Sequence, residues 1–163
     1  MSDRSHEFDQ LGRFTVGAMG EPGGRVFYLQ AFGDGTEVAV KCEKQQAQAL
    51  AEHLVKLLDD LPGVDEDVAP ADALPPSELA WAVGSISIGV DQRDNRLVVL
   101  LEEYADPEDD DADQPARLRV HLTRNQVRAY AGQVDTLLAS SRPLCRLCEQ
   151  PIDPSGHACP RLN

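Results

Sequence analysis

One pattern occurs twice in this chain, and it limits the fold more than any other feature. Residues 38–58 lie over residues 118–138 at a constant offset of 80. Val40, Gln46, Ala49, Ala51, Leu57 and Leu58 match Val120, Gln126, Ala129, Ala131, Leu137 and Leu138. The physical pattern agrees further than the identities do. Ala47, Leu50, Ala51, Leu54, Leu57 and Leu58 recur at helical spacing and make one apolar stripe. Val127, Tyr130, Ala131, Val134, Leu137 and Leu138 make the same stripe at the same offsets. Ahead of each stripe, apolar residues alternate with polar ones: Val38, Val40 and Cys42 in one copy, Leu118, Val120 and Leu122 in the other. Period two is the signature of a strand with one buried face. Thr123 and Gln126 have the spacing of a helix capping box.

Further strand signals precede both copies. Residues 13–18 and 25–31 flank the turn residues Pro22-Gly23-Gly24, and 81–90 and 96–102 flank Asp94-Asn95. Each half therefore reads strand, strand, strand, helix. The expected class is α+β: duplicated βββα units with antiparallel sheets, either two or one continuous sheet, and both helices on one face. Residues 1–12 are expected to be a disordered N-terminus and 13–58 the first unit. Residues 59–76 read as an acidic, Pro-rich linker, with a short helical turn expected at 77–79. The second unit spans 77–140 and carries an acidic loop at 105–115. Residues 141–163 form a separate tail.

That tail holds the strongest chemical signal. Cys145 and Cys148 are separated by two residues, and His157 and Cys159 by one. The first pair can turn both sulfurs towards one ion, and an extended segment points the second pair to one side. Pro154-Ser155-Gly156 supplies a turn that brings the pairs together. Four ligands of this kind make a closed structural zinc site, with no position open for catalysis. A disulfide, a redox-active pair and an iron–sulfur cluster would use the same residues, and the last alternative stays open here.

The run from Pro143 through Cys145, Cys148, His157 and Cys159 to Asn163 resembles the C-terminus of the DUF3090 family. Phe14-Thr-Val-Gly and the segment from Arg25 to Ala31 are also similar to that family. The resemblance covers nearly the whole chain. It implies a cytoplasmic actinobacterial protein of no established activity, and no catalytic residue is carried over from it.

Charge narrows the function classes. Twenty-eight acidic residues against 15 basic ones give a net charge of −13, which repels nucleic-acid phosphates and anionic membranes. No run of about 20 apolar residues is present to span a bilayer. Arg142, Arg146 and Arg161 form a small basic group around the proposed metal. Other residues have plainer readings. Cys42 is expected as a buried thiol, Trp81, Phe27 and Tyr28 as core aromatics, and His121 and His53 as exposed histidines. The acids from Asp106 to Asp113 lack the pattern of a calcium loop. No nucleophile motif or cofactor loop stands out. The expectation is a zinc-binding interaction or regulatory module with a protein partner, without a reaction of its own. The alternatives are a small enzyme acting on a phosphate- or nucleotide-containing substrate in the groove between the repeats and, third, a nucleic-acid-binding module.

Overall fold

A computed structural model describes residues 4–21, 24–64, 66–108 and 114–140. The elements, in chain order, are β1 (His6–Phe8), β2 (Arg13–Met19), β3 (Val26–Gly33), β4 (Thr36–Cys42), α1 (Lys44–Leu57), β5 (Val83–Asp91), β6 (Arg96–Glu103), β7 (Arg117–Leu122) and α2 (Arg124–Ser140). The class is α+β, with two sheets and two helices. A three-stranded sheet runs β2-β3-β4, and a four-stranded sheet runs β1-β7-β6-β5.

Alternation sets which face is buried. In the three-stranded sheet Val16, Leu29 and Val40 lie across from one another and are fully buried. In the four-stranded sheet Ile88, Val99 and Val120 do the same, with Ile88 only half-buried. The helices cover these inner faces with the apolar stripes read above, and all contribute to one hydrophobic cluster. Tyr130 is its largest fully buried side chain. Its ring lies 5.0 Å from that of Phe14, and its hydroxyl donates to the Ala47 carbonyl at 2.8 Å, tying α2 to α1. Burial holds the Tyr130 phenol well above its ordinary pKa. The capping box at α2 is present: Gln126 N–H donates to Thr123 Oγ1 at 3.2 Å and Thr123 N–H to Gln126 Oε1 at 3.0 Å.

The two sheets meet through the stretch before β5. Ala80 N–H donates to the Ala39 carbonyl and Lys41 N–H to the Trp81 carbonyl, both at 2.8 Å, so 80–82 runs parallel to β4. Gly84 then lets the chain swing past Tyr104; a Cβ there would come within 2.7 Å of the Tyr104 Cα.

Three expectations change. The 1–12 segment is not simply disordered: β1 pairs in parallel with β7, so the four-stranded sheet is mixed. Period-two patterning cannot reveal a three-residue strand, and Phe8 anchors it by entering the core beside Gly33. The 77–79 turn is not helical. The linker is irregular, but part of it is a packed strap. Ala71, Asp72 and Leu74 accept from Thr15, Arg13 and Gln30, burying Thr15, Gln30 and Tyr28 on the outer face of the three-stranded sheet.

Candidate metal centre

The four-stranded sheet turns its second face outward. On it β7 places His121 beside Val98 of β6, and β1 places Glu7 beside Arg119. The chain leaves β1 at Phe8, so Asp9 follows at the rim, where Arg96 Nη1 holds its carbonyl at 2.9 Å. Asp91, at the end of β5, accepts from Arg93 N–H through Oδ1 at 3.0 Å, leaving Oδ2 turned towards the histidine.

Together these residues surround an imidazole. His121 Nε2 lies 3.6 Å from Asp9 Oδ1 and 3.9 Å from Glu7 Oε1, and Nδ1 lies 3.9 Å from Asp91 Oδ2. The histidine side chain is only 12% exposed, whereas Glu7 is 45% and Asp9 86% exposed. Nε2 itself is buried and has no hydrogen-bond partner among the described residues. These gaps exceed a hydrogen bond but suit donors around one ion. Bonds of about 2.1 Å in tetrahedral array hold neighbouring donors about 3.4 Å apart. Glu7, Asp9 and His121 form a group able to hold a metal ion, with donor atoms within 4.8 Å of one another. The Asp91 carboxylate sits where a second partner commonly fixes the ring of a metal-bound histidine. Arg119 competes for the same Glu7 oxygen at 3.7 Å.

The N-terminal segment is held by more than this cluster. Arg4 clamps Glu103 through two hydrogen bonds of 2.7 and 2.8 Å, Trp81 Nε1 donates to the Arg4 carbonyl, and Arg117 N–H donates to Ser5 Oγ. The arginine beside it holds the Glu103 carboxyl below its usual range.

The residues singled out from the sequence fall elsewhere, with one exception. Cys145, Cys148, His157 and Cys159 lie outside the described residues, as do Arg142, Arg146 and Arg161. Cys42 is buried, as expected; burial first, then the Glu43 charge, pushes its thiol up to about 12, so it serves packing rather than nucleophilic attack. Trp81 and Tyr28 are buried, and Phe27 packs against the core. His53 is exposed on α1, at the rim of a groove. His121 is the exception and a correction: it is largely enclosed rather than exposed, because the segment around β1 rises beside it. Glu7 and Asp9 were not legible as candidate ligands, nor Asp91 as a partner of the histidine ring. Glu7 and Asp9 reach His121 only through the parallel pairing of β1 with β7, and Asp91 reaches it across the β5-β6-β7 ladder.

Two open grooves flank β5. One of about 330 Å³ lies between α1 and β5, lined by Ala49, Leu50, His53, Ile86 and Ile88 among others. The other, about 320 Å³, is bounded by Lys41, Glu43 and Tyr104. No helix among the described residues is long and apolar enough to cross a membrane.

An α+β body of two joined sheets, carrying a histidine–carboxylate group on one outer face, is the class of protein these features define. Its residues 6–159 match the family model described as "Protein of unknown function (DUF3090)", and the chain belongs to that family. No curated protein and no solved structure matches it.

Proposed function

We propose that this protein is a metal-binding interaction or regulatory module of the cytoplasm, without a reaction of its own, in which metal ions fasten peripheral segments to the two-sheet body. The observation that carries the reading is the buried His121 Nε2, which faces two carboxylates and has no hydrogen-bond partner among the described residues. Leaving such an atom unpaired costs about 1–3 kcal/mol. A divalent ion would satisfy it. One imidazole with two carboxylates suits ions of the manganese-to-zinc series. The ion would join the β1 segment to β7, so its occupancy would be expressed as firmer docking of the N-terminus. Structural zinc held by Cys145, Cys148, His157 and Cys159 would serve the tail in the same way. The partner would be a protein gripping the surface that the fastened segments complete.

Calorimetric titration of the full chain bearing Cys145→Ser and Cys148→Ser isolates the sheet site. One equivalent of Mn²⁺ or Zn²⁺ should bind, and His121→Ala should abolish binding. Failure of the parent to bind overturns the sheet site. Elemental analysis of the unaltered chain tests the tail, where zinc below about 0.2 equivalents counts against it. Affinity capture should recover a specific partner, lost when the tail cysteines are replaced.

A second reading draws on one observation. The exposure of Asp9 and Glu7 would leave coordination positions for water. That favours a small metal-dependent enzyme acting on a phosphate- or nucleotide-containing substrate. Turnover that vanishes in Glu7→Gln, with the fold intact, would decide for it.

We also infer that the two halves are copies of one βββα unit related by a pseudo-two-fold. Its support is the repeated order of elements and a reciprocal exchange: β1 lies parallel on β7, as 80–82 lies parallel on β4. Superposing the halves in an experimental structure tests it. Helices that fail to follow equivalent strands would defeat it.

A further inference from the structure

The seams between helix and strand differ in the two halves. Across the ladders Val40 faces Leu29 and Leu29 faces Val16, while Val120 faces Val99 and Val99 faces Ile88. Val40 and Val120 stand 80 positions apart, so Val16 and Ile88 occupy matching places. On the helices, Ala49 and His53 match Ala129 and Gln133. The α2/β2 seam and the α1/β5 groove are therefore counterparts.

The first is filled. The Ala71 amide donates to the Ala129 carbonyl at 3.1 Å, Pro70 lies against Gly132, and Ala71 accepts from Thr15. Gln133 closes the same seam onto the Val16 carbonyl at 3.2 Å. The filler is the strap that leaves the end of α1. The second seam is the groove of about 330 Å³, with Ala49 and His53 exposed and Ile86 and Ile88 half-buried. The chain that leaves α2 is residues 141–163.

We infer that the C-terminal segment occupies the α1/β5 groove, as the strap occupies the α2/β2 seam. This rests on the correspondence between the halves. The offset of 80 takes Pro70-Ala71 to Gln150-Pro151, followed by the apolar Ile152. The helices are antiparallel, since Arg124 reaches the Leu58 and Leu61 carbonyls while Tyr130 reaches Ala47, so α2 ends near the start of α1. Ten residues from Ser140 to Gln150 span up to about 35 Å when extended, ample to reach the groove. Proline-containing chain stays extended and lies along a seam without needing every amide paired. Ile152 meets an apolar wall of Leu50, Ile86 and Ile88. Beyond the groove the same path crosses Val98 and Leu100, which stand where Tyr28 and Gln30 hold Leu74 of the strap. The zinc ligands flank Ile152, so a closed metal site would present it as a preformed loop.

The test uses the full chain with p-benzoylphenylalanine in place of the exposed His53. Irradiation should crosslink it within the same molecule to residues 148–156. Crosslinks to a second chain, or none into 141–163, overturn the proposal. A second variant, Ala49→Trp, fills the groove from its exposed side and spares the core. With circular dichroism unchanged, amide exchange in 148–156 should become at least about tenfold faster. Unaltered exchange there also overturns it. Neither result bears on the duplication, which the superposition of halves decides separately.

Discussion

On the three-stranded sheet, Thr15, Tyr28 and Gln30 point outward and are buried beneath the strap. The matching outward positions of the four-stranded sheet hold Ser87, Val98 and Leu100, none of them buried among the described residues. The polar face is thus the enclosed one, and the face with two aliphatic residues is the more open. The reason lies in what covers them. An irregular strap brings unpaired backbone groups, and buried backbone groups need partners. Gln30 meets both needs of Leu74, donating to its carbonyl and accepting from its amide, each at 3.0 Å. An outward polar residue at zero exposure therefore marks a face covered by non-sheet backbone. On the other sheet His121 and its neighbouring carboxylates sit at one end of the outward face, where the natural complement is an ion rather than a peptide group.

The largest effect expected concerns the segment that carries two of the three candidate ligands. Phe8→Ala removes a ring packed in the core beside Gly33 and should cost about 3–5 kcal/mol in urea unfolding. It should also weaken metal binding, because Glu7 and Asp9 flank it. A loss of stability with metal affinity unchanged would show that the ligands do not depend on this anchor.

Gln30→Leu comes next. It leaves the Leu74 amide without its partner under the strap, while the Tyr28 hydroxyl still donates to the Leu74 carbonyl, and about 1–3 kcal/mol should be lost. The matching exchange on the other sheet, Leu100→Gln, should change stability by no more than about 1 kcal/mol. Equal costs would erase the distinction between the two faces.

Metal gives the third measure. At about 100 times its dissociation constant, an ion bound only by the native state stabilises by about 2.7 kcal/mol. The variant lacking Cys145 and Cys148 should show this rise in melting temperature, and His121→Ala in that background should not. Asp91→Asn should weaken affinity about 10- to 100-fold without removing a ligand. A rise that survives His121→Ala would move the ion elsewhere.

Much of the body was legible because its signals are local. The stripes of α1 and α2, the alternation in β4 and β7, and the cap at Thr123 each lie within one element, and each found its place. Cys42 followed from the parity of its strand. The metal group was not legible, for the opposite reason. Glu7 and Asp9 precede any periodic segment, Asp91 looks like an ordinary turn acid, and His121 reads as exposed until β1 is laid beside β7. Parallel pairing of a three-residue strand with one over 100 positions away leaves no trace in spacing. The strap was likewise invisible as structure, since Pro-rich acidic composition describes a solvated loop equally well. Thr15 and Gln30, which the strap buries, read in the sequence as ordinary outward residues, because alternation alone would expose them.

The smallest effect expected is the pH dependence of the N-terminal clamp, and it sharpens the same contrast at the other end of β6. The Arg4 hydrogen bonds, assisted by that of the Ala116 amide, lower the Glu103 pKa in the folded protein. A carboxyl depressed on folding adds stability above its unfolded pKa, near about 4.3, and that contribution fades as pH falls through the folded value. The window therefore lies below about pH 4. Arg4 is half exposed and solvent screens the pair, so the contribution should stay below about 1 kcal/mol. Glu103→Gln should lower stability slightly at pH 7 and converge with the parent as pH falls through the folded value of Glu103, because both then carry a neutral side chain. A difference that instead widens towards low pH would mean that Glu103 serves the fold as a neutral acid, and that β1 is held by its backbone and Phe8 rather than by charge.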